Sequence, residues 1–539
     1  MTAHPVSRTT RRAATAALLT TSFLLTACGS GGGGSDAGGG QARSGGTLTF
    51  AVGSDAGCVD PQQVASNDTI YSVRQIVDSL TDQDPTTGKI VPWLAKSWDI
   101  SSDATTFTFH LRSGVTFSDG SELTAQVVKD NFDAVPKLGA LGTLAEGYLS
   151  GVKNTTVVDP LTVKVTFQQP NAQFLQATST HSLGIESSAS AKKSPQEKCS
   201  QGVVGSGPFV LKQYVQNQSI TLARRTGYAW GSSLWHKSGE AYLDKVVFKV
   251  VPEAGVRAGS LQSGQVDAIS SVGKANEAAL KGGQVTLQRR ANPGVVFGLA
   301  LNNSRSVLKD ARVRQAIGFA IDRKQIADTV FPTGTQPATS VLAHTTPDYA
   351  DLSSDLTTDA AKAKSLLDAA GWKAGSDGIR TKDGAKLSLT VDWIPNSATN
   401  QPALELIQQQ LKAVGVGLTL KQLQVTQLAP TLQSGDFDAA WSNVTRADPD
   451  ILRSSFSTKL ANFYRLPVTP LDTSLTGQAA TTDTTKRAEL VKQAQELLVQ
   501  NAYYVPVVEL QTQIGVAKKV HNLNFDASSR IQLHDTWIG

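Results

Sequence analysis

The sequence is poor in the residues on which metal sites and many catalytic centres depend. Its 539 residues include three cysteines, seven histidines and one methionine, and aromatic residues make up 6%. The histidines do not cluster and none stands at ligand spacing from a cysteine, so the sequence predicts no metal site and no cofactor. It also lacks Gly-x-Ser-x-Gly, His-Glu-x-x-His and Gly-x-x-x-x-Gly-Lys motifs, and we expect that the chain is not an enzyme.

Long apolar runs and strong charge are also lacking. No apolar run beyond the first 27 residues is long enough to cross a bilayer. The formal net charge is only +5, and Arg8, Arg11 and Arg12 contribute three of the positive charges. The remainder of the chain is therefore close to neutral, and nothing predicts a nucleic-acid partner.

The first 27 residues have the pattern of a signal peptide. The three arginines precede a short uncharged stretch, Ala13 to Ala27, which ends in Leu25-Thr26-Ala27-Cys28. This ending resembles the bacterial lipobox, which implies cleavage before Cys28 and attachment of a lipid to its side chain. An ordinary secretory signal is the alternative. We expect lipidated Cys28 to anchor the protein to the outer face of the cell membrane, with residues 28–46, rich in Gly and Ser, as a flexible tether.

The two remaining cysteines, Cys58 and Cys199, lie in loop-like sequence. An exported protein meets oxidising conditions, so we predict a disulfide between them. Two buried free thiols are the alternative.

The patterns beyond residue 46 predict an α/β protein that is too long for one core. Alternating residues predict strands at 46–52 and 106–117 and a hairpin at 152–167 that turns at Asp159-Pro160. The second half alternates helices with strands. One apolar stripe runs from Val313 to Ile326, and a helix beginning at Pro402 lies between two strands, as in a βαβ unit.

Several segments in order resemble the extracellular solute-binding proteins of family 5, the peptide, nickel and opine receptors of ABC importers. The resemblance runs from about Gly46 to the end. Its carriers are Leu94-Ala95-Lys96-Ser97-Trp98, Phe107 to Gly120, Gly205-Ser206-Gly207-Pro208-Phe209, Asp310 to Ile317, Ala320-Ile321-Asp322-Arg323 and Ala369-Ala370-Gly371-Trp372. For the charged residues in two of these segments, Asp310, Arg312, Arg314, Asp322 and Arg323, we predict a surface ion network.

The resemblance implies the two-lobed fold of periplasmic binding proteins, of class II and the large cluster C type, with an extra β-rich subdomain in the first lobe. Residues 47–295 and 505–539 would form the first lobe and residues 296–504 the second, with chain crossings near 295–302 and 504–510. It further implies a monomer that closes over a small solute and delivers it to ABC permease and ATPase subunits.

A segment like 437–450 lines the cleft of peptide-binding relatives, in which an aspartate after the tryptophan holds the peptide amine. Here Asn443, Val444 and Thr445 stand in that place, so peptide specificity is in question. Arg446 suggests an anionic group instead, and its pairing with Asp448 or Asp450 is the alternative. Nickel is disfavoured as the solute because the seven histidines do not cluster. The candidate ligand-binding residues are Ser54, Asp55, Asn302, Asn303, Trp441, Ser442, Asn443, Thr445 and Arg446.

Two other functions stay open at this point. One is a secreted hydrolase whose site carries no familiar motif, and the other is a lipoprotein that senses or scaffolds without transport.

Overall fold

The computed structural model of the protein describes residues 41–539. Residues 42–539 form one compact unit, whose strands fall mainly into three sheets. The signal peptide, Cys28 and most of the tether lie outside the described residues.

The first sheet has seven strands and a mixed topology. Its centre is parallel: Thr47–Val52 pairs with Lys245–Val250 on one side and with Ala268–Ile269 on the other. Phe50 and Phe248 pack on one face with the helix Asn67–Val73, while the helices Ala254–Gln262 and Lys274–Leu280 cover the opposite face. In spatial order the strands are Val285–Ala291, Gln511–Ala517, Ala268–Ile269, Thr47–Val52, Lys245–Val250, Ser219–Arg224 and Phe209–Val215.

The second sheet has five strands and carries most of the longer helices. The predicted βαβ unit is confirmed, since Ser388–Trp393 pairs in parallel with Gly417–Gln422 across the helix Asn400–Ala413. In spatial order the strands are Gly417–Gln422, Ser388–Trp393, Ala439–Thr445, Gly294–Leu301 and Tyr504–Val508. The helices are Ala311–Ala320, Arg323–Val330, Ala360–Ala369, Asn400–Ala413, Val425–Ser434, Ile451–Phe456, Pro470–Ala479 and Thr484–Gln500.

A third, four-stranded antiparallel sheet forms the predicted β-rich subdomain, with its own apolar core. The predicted hairpin is confirmed. Thr124 caps the helix Ala125–Ala134, and its side chain accepts a hydrogen bond from the Val127 N–H group. The expected strand at 115–117 is absent, because Thr116 makes only an isolated bridge to Glu122. The strands are Ala95–Ile100, Thr106–Leu111, Thr162–Phe167 and Val152–Asp159, and the main helices are Ala125–Ala134 and Thr143–Leu149.

Shorter elements complete the fold. Four two-stranded ribbons pair Thr81–Gln83 with Ile90–Pro92, Thr381–Lys382 with Ala385–Lys386, Val520–His521 with Trp537–Ile538, and Asn524–Phe525 with Ile531–Gln532. The short helices are Phe174–Ala177, Ser188–Ala191 and Pro195–Gln201, and the 3₁₀ turns are Arg74–Ile76, Val135–Gly142, His181–Leu183 and Ser306–Leu308.

The apolar stripe from Val313 to Ile326 belongs to two helices rather than one. The first ends at Ala320, and Asp322 caps the second by accepting a hydrogen bond from the Gln325 N–H group at 2.8 Å. The expected surface ion network is also wrong for two arginines. Arg314 and Arg323 are each 4% exposed and donate to backbone carbonyls. Arg314 donates to Leu308 O in a 3₁₀ turn and to Asn501 O at the end of Thr484–Gln500, whereas Arg323 donates to Pro506 O and ties its helix to the second sheet.

The predicted disulfide between Cys58 and Cys199 is present and closes a loop with a sequence separation of 141 residues. Cys58 belongs to the apolar core that contains Phe50 and Phe248 of the first sheet, and Cys199 packs against this core.

Candidate functional site

The chain passes between the first and second sheets twice. It leaves Val285–Ala291 and enters Gly294–Leu301 through Asn292 and Pro293, and it returns through residues 509 and 510. The Asn292 side chain accepts hydrogen bonds from the Thr512 N–H and hydroxyl groups at 3.1 and 2.7 Å, and so joins the two crossings. Tyr504–Val508 pairs within the second sheet, so this strand belongs to the second lobe. The return to the first lobe therefore lies at residues 509 and 510 rather than at the expected boundary of 504/505.

Gly294 explains why the first crossing lies at this point. Its φ of +113° belongs to the region that side chains disfavour, and a Cβ atom would lie 2.2 Å from Val444 O and 2.7 Å from Arg446 N. Only glycine lets the strand start this close to its neighbour. The crossing is thereby held against the end of Ala439–Thr445.

A cavity of about 410 Å³ lies beside the crossings, a size typical of small-molecule sites. Its lining takes residues from two strands of the first sheet, from Glu509 of the return crossing and from the segment 334–344, which follows the helix Arg323–Val330. The lining residues are Arg289, Arg290, Ala291, Gly334, Gln336, Pro337, Thr339, His344, Glu509 and Gln511.

One buried carboxylate in this cavity is already paired. Glu509 is 2% exposed, and its two oxygens accept hydrogen bonds from His344, from Nδ1 at 2.6 Å and from the backbone N–H group at 2.9 Å. The hydrogen bond to Glu509 raises the pKa of His344. The pair fastens the second crossing to the 337–344 segment.

The two arginines of the cavity differ in their partners. Arg289 contacts Gln513 and lies 3.5 Å from Glu277 Oε1, so its charge is compensated. Arg290 donates from Nη2 to Pro85 O at 2.6 Å, and within the described chain no carboxylate oxygen lies within 4.0 Å of its guanidinium. Burial lowers the pKa of Arg290.

Arg446 joins the second sheet to the β-rich subdomain. Its N–H group donates to Pro293 O at 3.0 Å, and its guanidinium lies 4.7 Å from the centroid of the Tyr148 ring. Nη1 is 3.4 Å from Gln173 Oε1 and 3.2 Å from Ser454 Oγ.

The alternative pairing of Arg446 with Asp448 or Asp450 is wrong. Asp448 pairs with Arg487 at 2.6 Å and Asp450 with Arg453 at 2.7 Å, so both carboxylates have other cations. A role of Arg446 in anion binding stays a prediction.

Trp441 lies in the core of the second sheet rather than in a cleft. It is 2% exposed, stacks on Phe297 with ring centroids 5.2 Å apart, and donates from Nε1 to Asn400 Oδ1 at 3.1 Å. Both its apolar surface and its polar atom are therefore used within the fold. The following residues of the strand, Ser442, Asn443 and Thr445, are half-buried, and their contact with a solute stays a prediction.

Asn302 and Asn303 are misplaced in the sequence-based site. Gly294–Leu301 starts at the crossing and runs away from it, so its end lies roughly 25 Å away at the rise per residue of a strand. The amide of Asn302 donates to Gly435 O and Phe437 O, and that of Asn303 donates to Leu301 O. These side chains stabilise the turns at the end of Gly294–Leu301 that lies farthest from the crossing.

Ser54 and Asp55 follow the first strand, as predicted, but their side chains support the local loop. Asp55 accepts hydrogen bonds from the Tyr214 hydroxyl and the Asn217 N–H group, both at 2.8 Å. Ser54 is exposed and donates to Asp68 Oδ2 at 3.1 Å. A contact of either residue with a solute stays a prediction.

The sequence reasoning missed Arg290, His344 and Glu509 because they come from three distant segments. Adjacent arginines at the end of an otherwise alternating strand were the one available signal. Tyr148 and Gln173 were missed for the same reason, since only the fold brings them to Arg446.

Two sheets joined by two crossings, with a cavity between them, define a two-lobed binding protein. Residues 89–462 match the model of the bacterial extracellular solute-binding proteins, family 5 (middle region), and the chain belongs to this family. Within the described residues, no helix has the length and apolarity required to cross a membrane.

Known relatives agree with this assignment over most of their length. The chain is 27% identical over 483 residues to the glutathione-binding protein GsiB of Salmonella typhimurium, covering 86% of this chain and 88% of that protein. The fold is similar to that of NikA from Brucella suis in complex with Fe(III)-EDTA, with a TM-score of 0.79, 24% identity and coverage of 92% and 100%. It is also similar to the oligopeptide-binding protein AppA from Bacillus subtilis in complex with a nonapeptide, with a TM-score of 0.74, 20% identity and coverage of 93% and 100%.

Proposed function

We propose that this chain is the receptor of an ABC importer and captures a peptide-like or other amino-acid-derived solute between its lobes. It would act as a monomer and deliver the closed complex to the permease. The observation that carries this proposal is the cavity beside the crossings, which is lined by strands of the first sheet and by the segment 334–344, whose Pro337 bridges to Val508 of the second sheet. A ligand held there contacts both lobes and favours the closed arrangement through its differential affinity.

The relatives guide the choice of solute. Glutathione is the first solute to test because GsiB is named for binding it, and short peptides follow because AppA was solved with one. The cavity of about 410 Å³ favours a small solute.

Thermal unfolding with glutathione, di- to nonapeptides, opines and oligosaccharides tests the receptor function. A ligand that binds only the folded state stabilises it by about 2.7 kcal/mol at a concentration one hundred times its Kd. We expect one solute class to raise the Tm. An unchanged Tm across all classes would contradict the receptor function.

Two further measurements separate import from the other functions. Cleavage of an added peptide by the purified protein would support a secreted hydrolase. Unchanged uptake of the stabilising solute in a deletion strain would support a sensor or scaffold instead. We expect an intact peptide and reduced uptake.

We also propose that Cys28 carries a lipid and that residues 28–46 tether the receptor to the outer face of the cell membrane. The sequence Leu25-Thr26-Ala27-Cys28 supports this anchor. Cys28→Ser should move the protein from the membrane fraction to the soluble fraction. Retention of the variant in the membrane fraction would refute the lipid anchor.

A further inference from the structure

Two guanidinium groups without a carboxylate partner flank the first crossing. Arg290 is the last residue but one of Val285–Ala291, and Arg446 follows Ala439–Thr445 and hydrogen-bonds to Pro293. Among the residues that the structure describes, neither guanidinium has a carboxylate oxygen within 4.0 Å. Their acceptors are neutral: Pro85 O for Arg290, and Gln173 Oε1 and Ser454 Oγ for Arg446.

One short segment links the surroundings of the two arginines. Pro85 accepts the hydrogen bond from Arg290 at 2.6 Å, and Gln83 Nε2 donates to Ala447 O, next to Arg446, at 3.1 Å. Arg290 and the residue that follows Arg446 therefore both contact the short segment 83–85 of the first lobe.

The acidic groups of this region are used elsewhere. Asp84 accepts the N–H groups of Thr86 and Thr87 at 2.7 and 3.0 Å, and Asp448 pairs with Arg487. Glu509, the carboxylate of the cavity, is paired with His344. Asp526 and Asp84 act on Arg290 only at longer range, so Arg290 lines a cavity with the volume of a small solute and has no carboxylate in direct contact.

We infer that the solute is an acid and that Arg290 binds its carboxylate, with Arg446 adding positive charge from the second lobe. The inference rests on the proposed receptor function and names the chemical class of its solute. A guanidinium offers two parallel N–H donors that match the two oxygens of a carboxylate. Arg290 is half-buried, so this attraction is screened less than it would be at a fully exposed surface. Because Arg290 stands at the crossing, a bound acid holds the lobes together where they meet.

Matched pairs of solutes test this inference by isothermal titration calorimetry. The pairs are glutathione with its diethyl ester, and trialanine with its C-terminal amide. If either pair binds, its acid should bind about ten- to one-hundred-fold more tightly than its neutral derivative. This is the range expected for a charge-assisted hydrogen-bonded pair. Arg290→Gln should remove this preference and leave the affinity for the neutral derivative unchanged.

Arg305→Gln is the matched control, since Arg305 is already paired with Asp436 and Asp438 at 3.0 and 3.1 Å. It should keep the full preference for the acid. Arg290→Lys keeps the charge but loses the paired donors, so the preference should shrink without vanishing.

The outcomes separate this inference from the function on which it rests. Equal affinity of acid and neutral derivative for the unmodified protein, or a preference that survives in Arg290→Gln, overturns the inference and leaves the receptor function intact. Absence of binding by all four compounds overturns the inference together with the peptide-like solute class. The comparison in the unmodified protein requires no variant to fold.

Discussion

The guanidinium of Arg446 lies over the ring of Tyr148, 4.7 Å from its centroid. Arg446 belongs to the second lobe and Tyr148 to the β-rich subdomain of the first, so this contact joins the lobes directly. The Arg446 guanidinium also lies 3.4 Å from Gln173 Oε1, next to Phe174 in the core of that subdomain. We therefore expect Arg446 to stabilise the contact between the lobes.

Tyr148→Leu should weaken closure because it removes the aromatic face from Arg446. A cation–π contact is worth about 0.5 to 2 kcal/mol, so solute affinity should fall by roughly two- to thirty-fold. Calorimetry measures the affinity, and small-angle scattering should show a larger radius of gyration without solute. Tyr148→Phe keeps the ring and should resemble the unmodified protein. Equal effects of the two substitutions would contradict a closing contact.

Lys198→Met should destabilise the first lobe strongly. Lys198 and Asp60 are both buried, with Nζ 2.9 Å from the Asp60 carboxylate and 3.3 Å from that of Glu186. Burial raises the pKa of Glu186, and Lys198 is the cation that offsets the two acids. Removing one partner of a buried pair costs about 3 to 5 kcal/mol, measured by urea unfolding.

The exposed Lys96 provides the control for this substitution. Lys96→Met should change the free energy of unfolding by no more than about 0.5 kcal/mol. A loss of the same small size in Lys198→Met would show that the buried cation does not stabilise the lobe.

Removal of the disulfide should lower stability without changing the fold. The bond joins residues 141 apart, so it restricts the unfolded chain strongly. We expect the Cys58→Ser and Cys199→Ser double variant to lose roughly 2 to 5 kcal/mol in urea unfolding. A reductant should destabilise the unmodified protein by the same amount and have no effect on the double variant. A reductant effect in both proteins would point to a cause other than this bond.

Ionisation of the buried Asp82 carboxyl group should lower the free energy of unfolding as the pH rises from about 4 to 6. Burial raises the pKa of Asp82 to about 6, from an ordinary value of 3.8. The folded state therefore binds a proton in this range that the unfolded state has lost, and its stability falls with pH. The difference in pKa corresponds to roughly 3 kcal/mol once the pH exceeds 6.

Asp82→Asn removes this titration while keeping an oxygen for the Gln83 N–H group, which Asp82 Oδ1 accepts at 2.8 Å. Urea unfolding at pH 4 and pH 7 should show that the variant gains stability relative to the unmodified protein at the higher pH. A difference independent of pH would show that Asp82 ionises at its ordinary pKa.

Much of the fold could be predicted because its signals are local. The hairpin at 152–167 and the βαβ unit each depend on residues close in sequence, and both are confirmed. The stripe from Val313 to Ile326 misled because a buried apolar face continues across a helix break at Asp322. Periodicity reports which face is buried and does not report where a capping side chain interrupts the backbone.

The candidate site was harder to predict because it depends on strand direction and on distant pairings. Asn302 and Asn303 were placed at a crossing, but their strand runs away from it, and Trp441 packs on Phe297 instead of facing a solute.

The sequence by itself determined the family through its ordered motifs, the α/β class through its apolar periodicity, and the disulfide through the pairing of two remaining cysteines. The tertiary structure alone decided which charges remain without a partner. Arg290 and Arg446 resemble other arginines in the sequence, and only the fold assigns Asp448 to Arg487 and Glu509 to His344. Charge compensation depends on distances between residues far apart in the chain, which local patterns do not encode.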